Sequence, residues 1–170
     1  MEFLKFDPRV GMHRARACDY APVVLGLRDN KIPFSDRARD FAPAEFSPRP
    51  SFAPRRHQVD ALNAWIRARG RGMVVMPTGS GKSFLAMLAM CRVKRPALVI
   101  SPTIDLMRQW ACRMEEFFGE KVGMLGGGSR ETLRLTSATY DSAAIMMEFI
   151  GNRFGFVIFD ECHHVPGPSN

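Results

Sequence analysis

Apolar residues follow two rhythms along this chain, and the change between them divides it. In RRHQVDALNAWIRARG, residues 55–70, Val59, Leu62, Trp65 and Ile66 recur on one helical face, and Gly70 supplies a stop. Further on, short β-rich runs alternate with longer helical patterns. Strands are predicted over residues 72–76, 97–101, 122–125, 133–136 and 154–159, and helices over residues 82–93, 103–118 and roughly 140–150. Alternation of this kind predicts an α/β domain, a mostly parallel sheet with helices on both faces. Residues 1–54 read differently, with seven of the twelve prolines and no sustained period. Strand-like pieces at 2–6 and 22–27 are separated by breakers such as Asp29-Asn30 and Ser47-Pro48-Arg49-Pro50. The pattern predicts an irregular N-terminal segment with a linker at 46–54, then one domain over 55–170.

Composition narrows the class. A chain of 170 residues with 46% hydrophobic and 24% charged residues has the make-up of a soluble globular domain with a sizeable core. Its longest apolar run, residues 84–91, falls well short of the roughly 20 residues that cross a bilayer, so no membrane partner is expected. MEFLKFDPR lacks a secretory pattern, which makes the cytoplasm the expected location. The four cysteines, Cys18, Cys91, Cys112 and Cys162, form no CxxC pair and are read as reduced thiols. Net charge is +7, concentrated upstream: residues 1–70 hold 13 Lys/Arg against 8 Asp/Glu, residues 71–170 hold 11 against 9. A basic balance suits a polyanionic partner such as nucleic acid.

The most specific stretch is MVVMPTGSGKSFLAM. A predicted strand enters Pro77-Thr78-Gly79-Ser80-Gly81-Lys82-Ser83 and a predicted helix leaves it. Glycines there let backbone N–H groups curl around phosphate oxygens, and the helix N-terminus adds partial positive charge. Lys82 would neutralise the β and γ phosphates and Ser83 would place a hydroxyl on Mg²⁺. The pattern GxxxxGK[ST] asks for glycine where this chain has Met76, a position at the strand end away from the phosphates.

A phosphate loop needs a second strand that ends in acids, and FGFVIF followed by Asp160-Glu161 supplies one. Asp160 would hold Mg²⁺ and Glu161 would polarise an attacking water. Cys162-His163-His164 could be read as metal ligands, but three adjacent residues point different ways and close a tetrahedral site poorly. Trp65 and Trp110 fall on apolar helical faces and are expected in the core rather than as base-stacking platforms.

Asp160-Glu161-Cys162-His163 is a DExH box, and with the phosphate loop it resembles the superfamily 2 helicases and translocases. Arg55-Arg56-His57-Gln58 resembles their Q-motif, 24 residues before Lys82, whose glutamine reads the adenine edge. SPTIDLMRQW at 101–110 is similar to motif Ia, and Leu125-Gly126-Gly127-Gly128 and Thr139-Tyr140-Asp141-Ser142-Ala143 match later strand ends that face nucleic acid. "TYDSA", "NRFGFVIFDECHHVPGPS" and the earlier "FDPRV…RARACDY" resemble the prokaryotic XPB-like DNA helicases most narrowly. Ser137-Ala138-Thr139 spells the SAT of motif III, but it precedes the DExH box instead of following it and is read as a strand tail.

The resemblance implies a RecA-like lobe that binds ATP and Mg²⁺ and works on DNA, duplex or single-stranded. It assigns the nucleotide to Arg55, Gln58 and residues 77–83, catalysis to Lys82, Asp160, Glu161 and His163, the metal to Ser83 and Asp160, and DNA to Thr103, Arg108, Gly127, Gly128 and Thr139. The family's motor has two such lobes; this chain reaches only the DExH box of the first. The expectation is therefore a partial lobe, incomplete at its C-terminus, that awaits a second lobe as partner. Arginines from that lobe are worth about 10³–10⁵ in rate in related chemistry, so turnover by the chain alone should be very slow. A missing strand would also leave an unpaired sheet edge and a marginal or sticky chain. Two other readings stay open: a nucleotide- and DNA-binding module without turnover, and a small P-loop kinase.

Overall fold

The computed structural model describes residues 3–16, 19–38, 41–49 and 53–164. The chain divides into two units, Met1–Asp40 and Phe41–Asn170.

The smaller unit holds a hairpin, β1 (Lys5–Asp7) antiparallel to β2 (Met12–Arg14), and a helix, α1 (Tyr20–Asp29). Residues 22–27, expected as strand-like, lie inside that helix. Pro22 falls in its first turn, where a backbone N–H has no intrahelical acceptor to lose, so proline does not break the helix there. The expected strand at 2–6 is displaced to Lys5–Asp7, and residue 2 lies outside the described residues.

The larger unit is the α/β domain. Its elements are α2 (Arg56–Arg67), α3 (Lys82–Val93), β3 (Ala97–Ser101), α4 (Ile104–Phe118), β4 (Gly123–Gly126), β5 (Ser129–Arg130), β6 (Leu135–Thr139), α5 (Tyr140–Ile150) and β7 (Phe156–Phe159). The sheet order is β5-β4-β6-β3-β7. β3 pairs in parallel with both β6 and β7, β4 pairs in parallel with β6, and only the short β5 is antiparallel. β3 and β6 are buried along their whole length.

Two apolar clusters show that helices cover both faces. Ala97 and Val99 pack with Met87, Met90, Trp110, Met114 and Phe117 of α3 and α4. Leu98 and Ile100 point the other way, to Ala143 and Ile150 of α5. This is the period-two alternation of a strand buried on both sides. Both helices that begin at a strand end are capped by threonine: Thr103 Oγ1 accepts from Leu106 N and Thr139 Oγ1 from Ser142 N, each at 3.2 Å.

Two differences from expectation concern the borders of this domain. Residues 41–49, placed by sequence in the N-terminal segment and linker, lie with the larger unit, so the division falls at 40/41 rather than 54/55. Ala44 N donates to Lys94 O at 3.1 Å, Arg49 N to Phe117 O at 2.7 Å, and Phe46 is buried against Phe118. Prolines suppressed any period there, yet two apolar side chains suffice to anchor the segment. Residues 72–76, expected as a strand, pair with no strand among the described residues. They border a cavity of about 830 Å³ as irregular chain, with Met73 74% and Val75 86% exposed.

Candidate functional site

Because β3, β4, β6 and β7 run parallel, their carboxyl ends lie on one edge of the sheet, where open α/β sheets bind ligands. Segment 77–83 connects residues 72–76 to α3. Ser80 donates to the Pro77 carbonyl from both its backbone N, at 3.2 Å, and its Oγ, at 2.6 Å, which closes a tight turn. Gly79 and Gly81 hold φ at 77° and 89°, in the left-handed region that glycine enters without steric cost. An added Cβ at Gly79 would meet nothing within 4 Å, but at Gly81 it would lie 2.3 Å from Gln58 Nε2. Gly81 thus serves both conformation and close approach.

The approaching group is the amide of Gln58, which is buried. Its Nε2 donates to Ser80 O at 3.2 Å and reaches Gly81 O at 3.5 Å, while its Oε1 accepts from Arg55 N at 2.9 Å. His57 Nε2 lies 3.1 Å from the same Ser80 carbonyl, a contact that requires the proton on Nε2. The start of α2 therefore staples the loop. Sequence reasoning assigned Gln58 to a base edge; in the structure its amide is engaged by the loop backbone.

Asp160 and Glu161 follow β7 directly. Glu161 holds φ at +50°, a conformation rarely taken by a residue with a side chain and costing on the order of 1 kcal/mol. Its carboxylate lies between two nitrogens: Lys82 Nζ is 3.6 Å from Oε1 and His163 Nδ1 is 3.4 Å from Oε2. Lys82 and Glu161 are each more than a third exposed, so the pair contributes little to stability. Its geometry matters more. The loop lysine and the box acids line the same 830 Å³ cavity. Ser83 is turned toward α4, where its Oγ accepts from Arg113 Nη1 at 2.9 Å.

Three contacts here were not foreseen. Trp110, expected in the core, is only 3% exposed, yet its indole N–H donates to Asp160 Oδ2 at 2.7 Å. Tyr140 OH donates to the Asp160 backbone carbonyl at 2.8 Å, and burial is the main cause that raises its pKa above the ordinary 10.0. Arg113 on Ser83 is the third. The available signal was the polar tip on each residue, since a buried Trp or Tyr seeks a partner.

The residues expected to meet nucleic acid come from three strand ends on the shared edge. Thr103 follows β3, Gly127 and Gly128 follow β4, and Thr139 ends β6 opposite Ser101. Arg108 is exposed on α4, and its Nη2 lies 3.8 Å from where a Cβ on Gly127 would stand. Gly127 and Gly128 hold φ at 57° and 89°. Thr139 is buried and its hydroxyl is engaged in capping α5.

Residues 51–170 match the family described as type III restriction enzyme, res subunit, and residues 1–38 match the Xeroderma pigmentosum group B helicase damage recognition domain. The chain belongs to the XPB-like branch of that helicase family. Among its relatives is the DNA 3'-5' translocase XPB2 of Sulfurisphaera tokodaii, 33% identical over 96% of this chain and 37% of the relative. Another is the general transcription and DNA repair factor IIH helicase/translocase subunit XPB/SSL2 of Saccharomyces cerevisiae, 26% identical over 69% of this chain and 16% of the relative. This XPB-like chain thus spans well under half the length of either. The UvsW helicase from bacteriophage T4 shares the fold, with a TM-score of 0.59 at 17% identity over 87% of this chain and 62% of that one. Among the described residues, no helix is long and apolar enough to cross a membrane.

Proposed function

We propose that this chain is the ATP-binding part of the first motor lobe of a DNA translocase, with Mg²⁺-ATP held between the phosphate loop and the DExH box. The observation that carries the proposal is the meeting of Lys82 with Glu161 at 3.6 Å in the cavity that Asp160 also lines. A lysine at a loop of left-handed glycines, facing paired acids at the end of β7, is the arrangement phosphoryl transfer requires.

Each residue then has a task. Backbone N–H groups of 79–83 cradle phosphate oxygens, and Lys82 exchanges Glu161 for a phosphate, which frees the glutamate to orient water. His163, on the other oxygen of Glu161, keeps that carboxylate turned toward the cavity. The donors beside the loop are hard oxygens, Ser83 Oγ and the Asp160 carboxylate, which suit Mg²⁺. Mg²⁺ when bound would neutralise charge on the β and γ phosphates. Arg113 holds Ser83 until then. Arg55 and Gln58 shape the loop's approach to the base, and Thr103, Arg108, Gly127 and Gly128 form the edge offered to DNA, while the buried Thr139 serves that edge by capping α5. We place the protein in the cytoplasm, as a DNA-working lobe without a long apolar helix among its described residues.

The test is ATP hydrolysis by this chain with and without DNA, beside Lys82→Ala and Glu161→Gln, with Mg²⁺-nucleotide binding measured in parallel. Binding that Lys82→Ala abolishes, with little turnover even on DNA, supports a lobe that needs a second one for its arginines. Brisk DNA-stimulated turnover lost in Glu161→Gln would overturn that dependence. Phosphoryl transfer to a nucleoside would overturn the motor reading in favour of a kinase.

A further inference from the structure

We infer that Trp110 is a positioning residue for the DExH aspartate: its indole N–H orients the Asp160 carboxylate toward the cation of the nucleotide complex. This rests on the proposed reading of the site and deepens it.

An indole N–H can only donate, and a buried donor left without a partner is costly. Trp110 is 3% exposed and its ring packs among the α3, α4 and sheet residues of the larger apolar cluster, so the indole has a fixed place. From there Nε1 donates to Asp160 Oδ2 at 2.7 Å, at the short end of the range for an N–H···O hydrogen bond. The second oxygen, Oδ1, accepts Glu161 N at 3.1 Å. Two donors, one on each oxygen, set the rotation of the carboxylate. About four lone-pair sites exist on such a group, so sites remain for a cation.

The backbone of Asp160 is fixed as well. Its N donates to Ile100 O of β3 at 2.8 Å, and its carbonyl accepts from Tyr140 at the start of α5. Asp160 is thus held from β3, α4 and α5 at once, although among the described residues the strand that delivers it pairs on one side only. Among the described residues, Trp110 and the neighbouring Glu161 N supply the hydrogen bonds to the carboxylate itself. Partners behind a metal ligand are worth about 10–100-fold in metal affinity, which sets the size of the effect.

The experiment is a Mg²⁺ titration of ADP binding by the whole chain, wild type against Trp110→Phe, with Mg²⁺-free ADP affinity and the melting temperature recorded alongside. Phenylalanine keeps most of the apolar ring and removes the N–H. The expected result is a half-saturating Mg²⁺ concentration raised about 10-fold, with Mg²⁺-free affinity unchanged. An unchanged Mg²⁺ dependence would overturn the inference and leave the proposed function standing. Equal losses with and without Mg²⁺ would also overturn it, because Trp110 would then act through packing alone. Wild type that binds no ADP at all would overturn the reading of the site and this inference with it. Should Trp110→Phe fail to fold, the two indole N–H resonances decide the matter in Asp160→Asn. The Trp110 resonance is expected to move and that of Trp65 to stay, and an unmoved Trp110 signal sinks the proposal.

Discussion

Residues 72–76 and β3 share an apolar, β-rich composition, yet they end in opposite environments. Every residue of β3 is buried, paired on one side with β6 and on the other with β7. Met73 and Val75 are almost fully open, and their stretch borders a cavity instead of a neighbour. β7 lies between these extremes, paired on one side, with residues alternately half-buried and exposed. Apolar sequence therefore predicts an extended backbone, but burial depends on flanking partners that the same local pattern does not reveal. The candidate site grows from two sparsely supported segments of the larger unit: residues 77–83 follow 72–76, and Asp160-Glu161 follow β7. Regions with few buried contacts open at low free-energy cost, and moving parts of motors are drawn from them.

The largest test of this contrast is a pair of truncations. Leu135→Ala, at a fully buried position in β6, should destabilise the domain by about 2–5 kcal/mol, because it leaves a cavity in the packed half. Val75→Ala should change stability by no more than about 0.5 kcal/mol, as an exposed side chain has little packing to lose. Urea denaturation of both variants checks the difference. Comparable losses would mean that residues 72–76 are covered in solution, and the contrast would collapse.

A smaller effect is expected at the boundary of the two regions. Gly81→Ala places a Cβ at φ +89° and 2.3 Å from the Gln58 amide, so the backbone must leave the left-handed region or Gln58 must let go of the loop. Strain of this kind costs on the order of 1–3 kcal/mol locally. Nucleotide binding should fall more than global stability does, since the staple holds the loop and not the core. Gly79→Ala, with open space around its Cβ, isolates the conformational part. Binding by the two variants, read by calorimetry, separates close approach from backbone geometry.

What could be read from the sequence follows the same division. Ala97–Ser101 was legible to the residue, as was Lys82–Val93, because local pattern and burial agree there. Lys82, Asp160 and Glu161 were singled out together from spacing, and all three line one cavity. Trp110 was legible only as a core residue, since its helical spacing said nothing of a hydrogen bond to Asp160 fifty positions later. Phe46 and Ala44 were hidden by prolines, and residues 22–27 were misleading because Pro22 is harmless in a first turn. Trp110, Ala44 and Phe46 show tertiary partners overriding a local pattern, whereas residues 22–27 show a proline whose helix position the local pattern did not reveal.

The smallest effect extends the comparison to a hairpin whose two strands pair with no third strand among the described residues. β1 and β2 are exposed at every residue but Asp7. Its carboxylate accepts Arg9 Nη2 at 2.9 Å and Arg9 Nε at 3.0 Å, and Arg14 Nε stands 3.2 Å away. The hydrogen bond from Arg9 holds the Asp7 pKa below its ordinary value of 3.8. A depressed carboxylate pKa favours the folded hairpin above the unfolded value, and the contribution is lost as pH falls below 3.8 toward the lower folded value. Both arginines are well exposed, so the effect should be slight and weakened by salt. Carbon NMR of the Asp7 carboxyl should give a midpoint below 3.8 that Arg9→Ala raises. A midpoint that Arg9→Ala leaves in place would mean that Arg14 or the turn backbone, not Arg9, holds the acid, and the hairpin would owe its shape to the chain's local geometry.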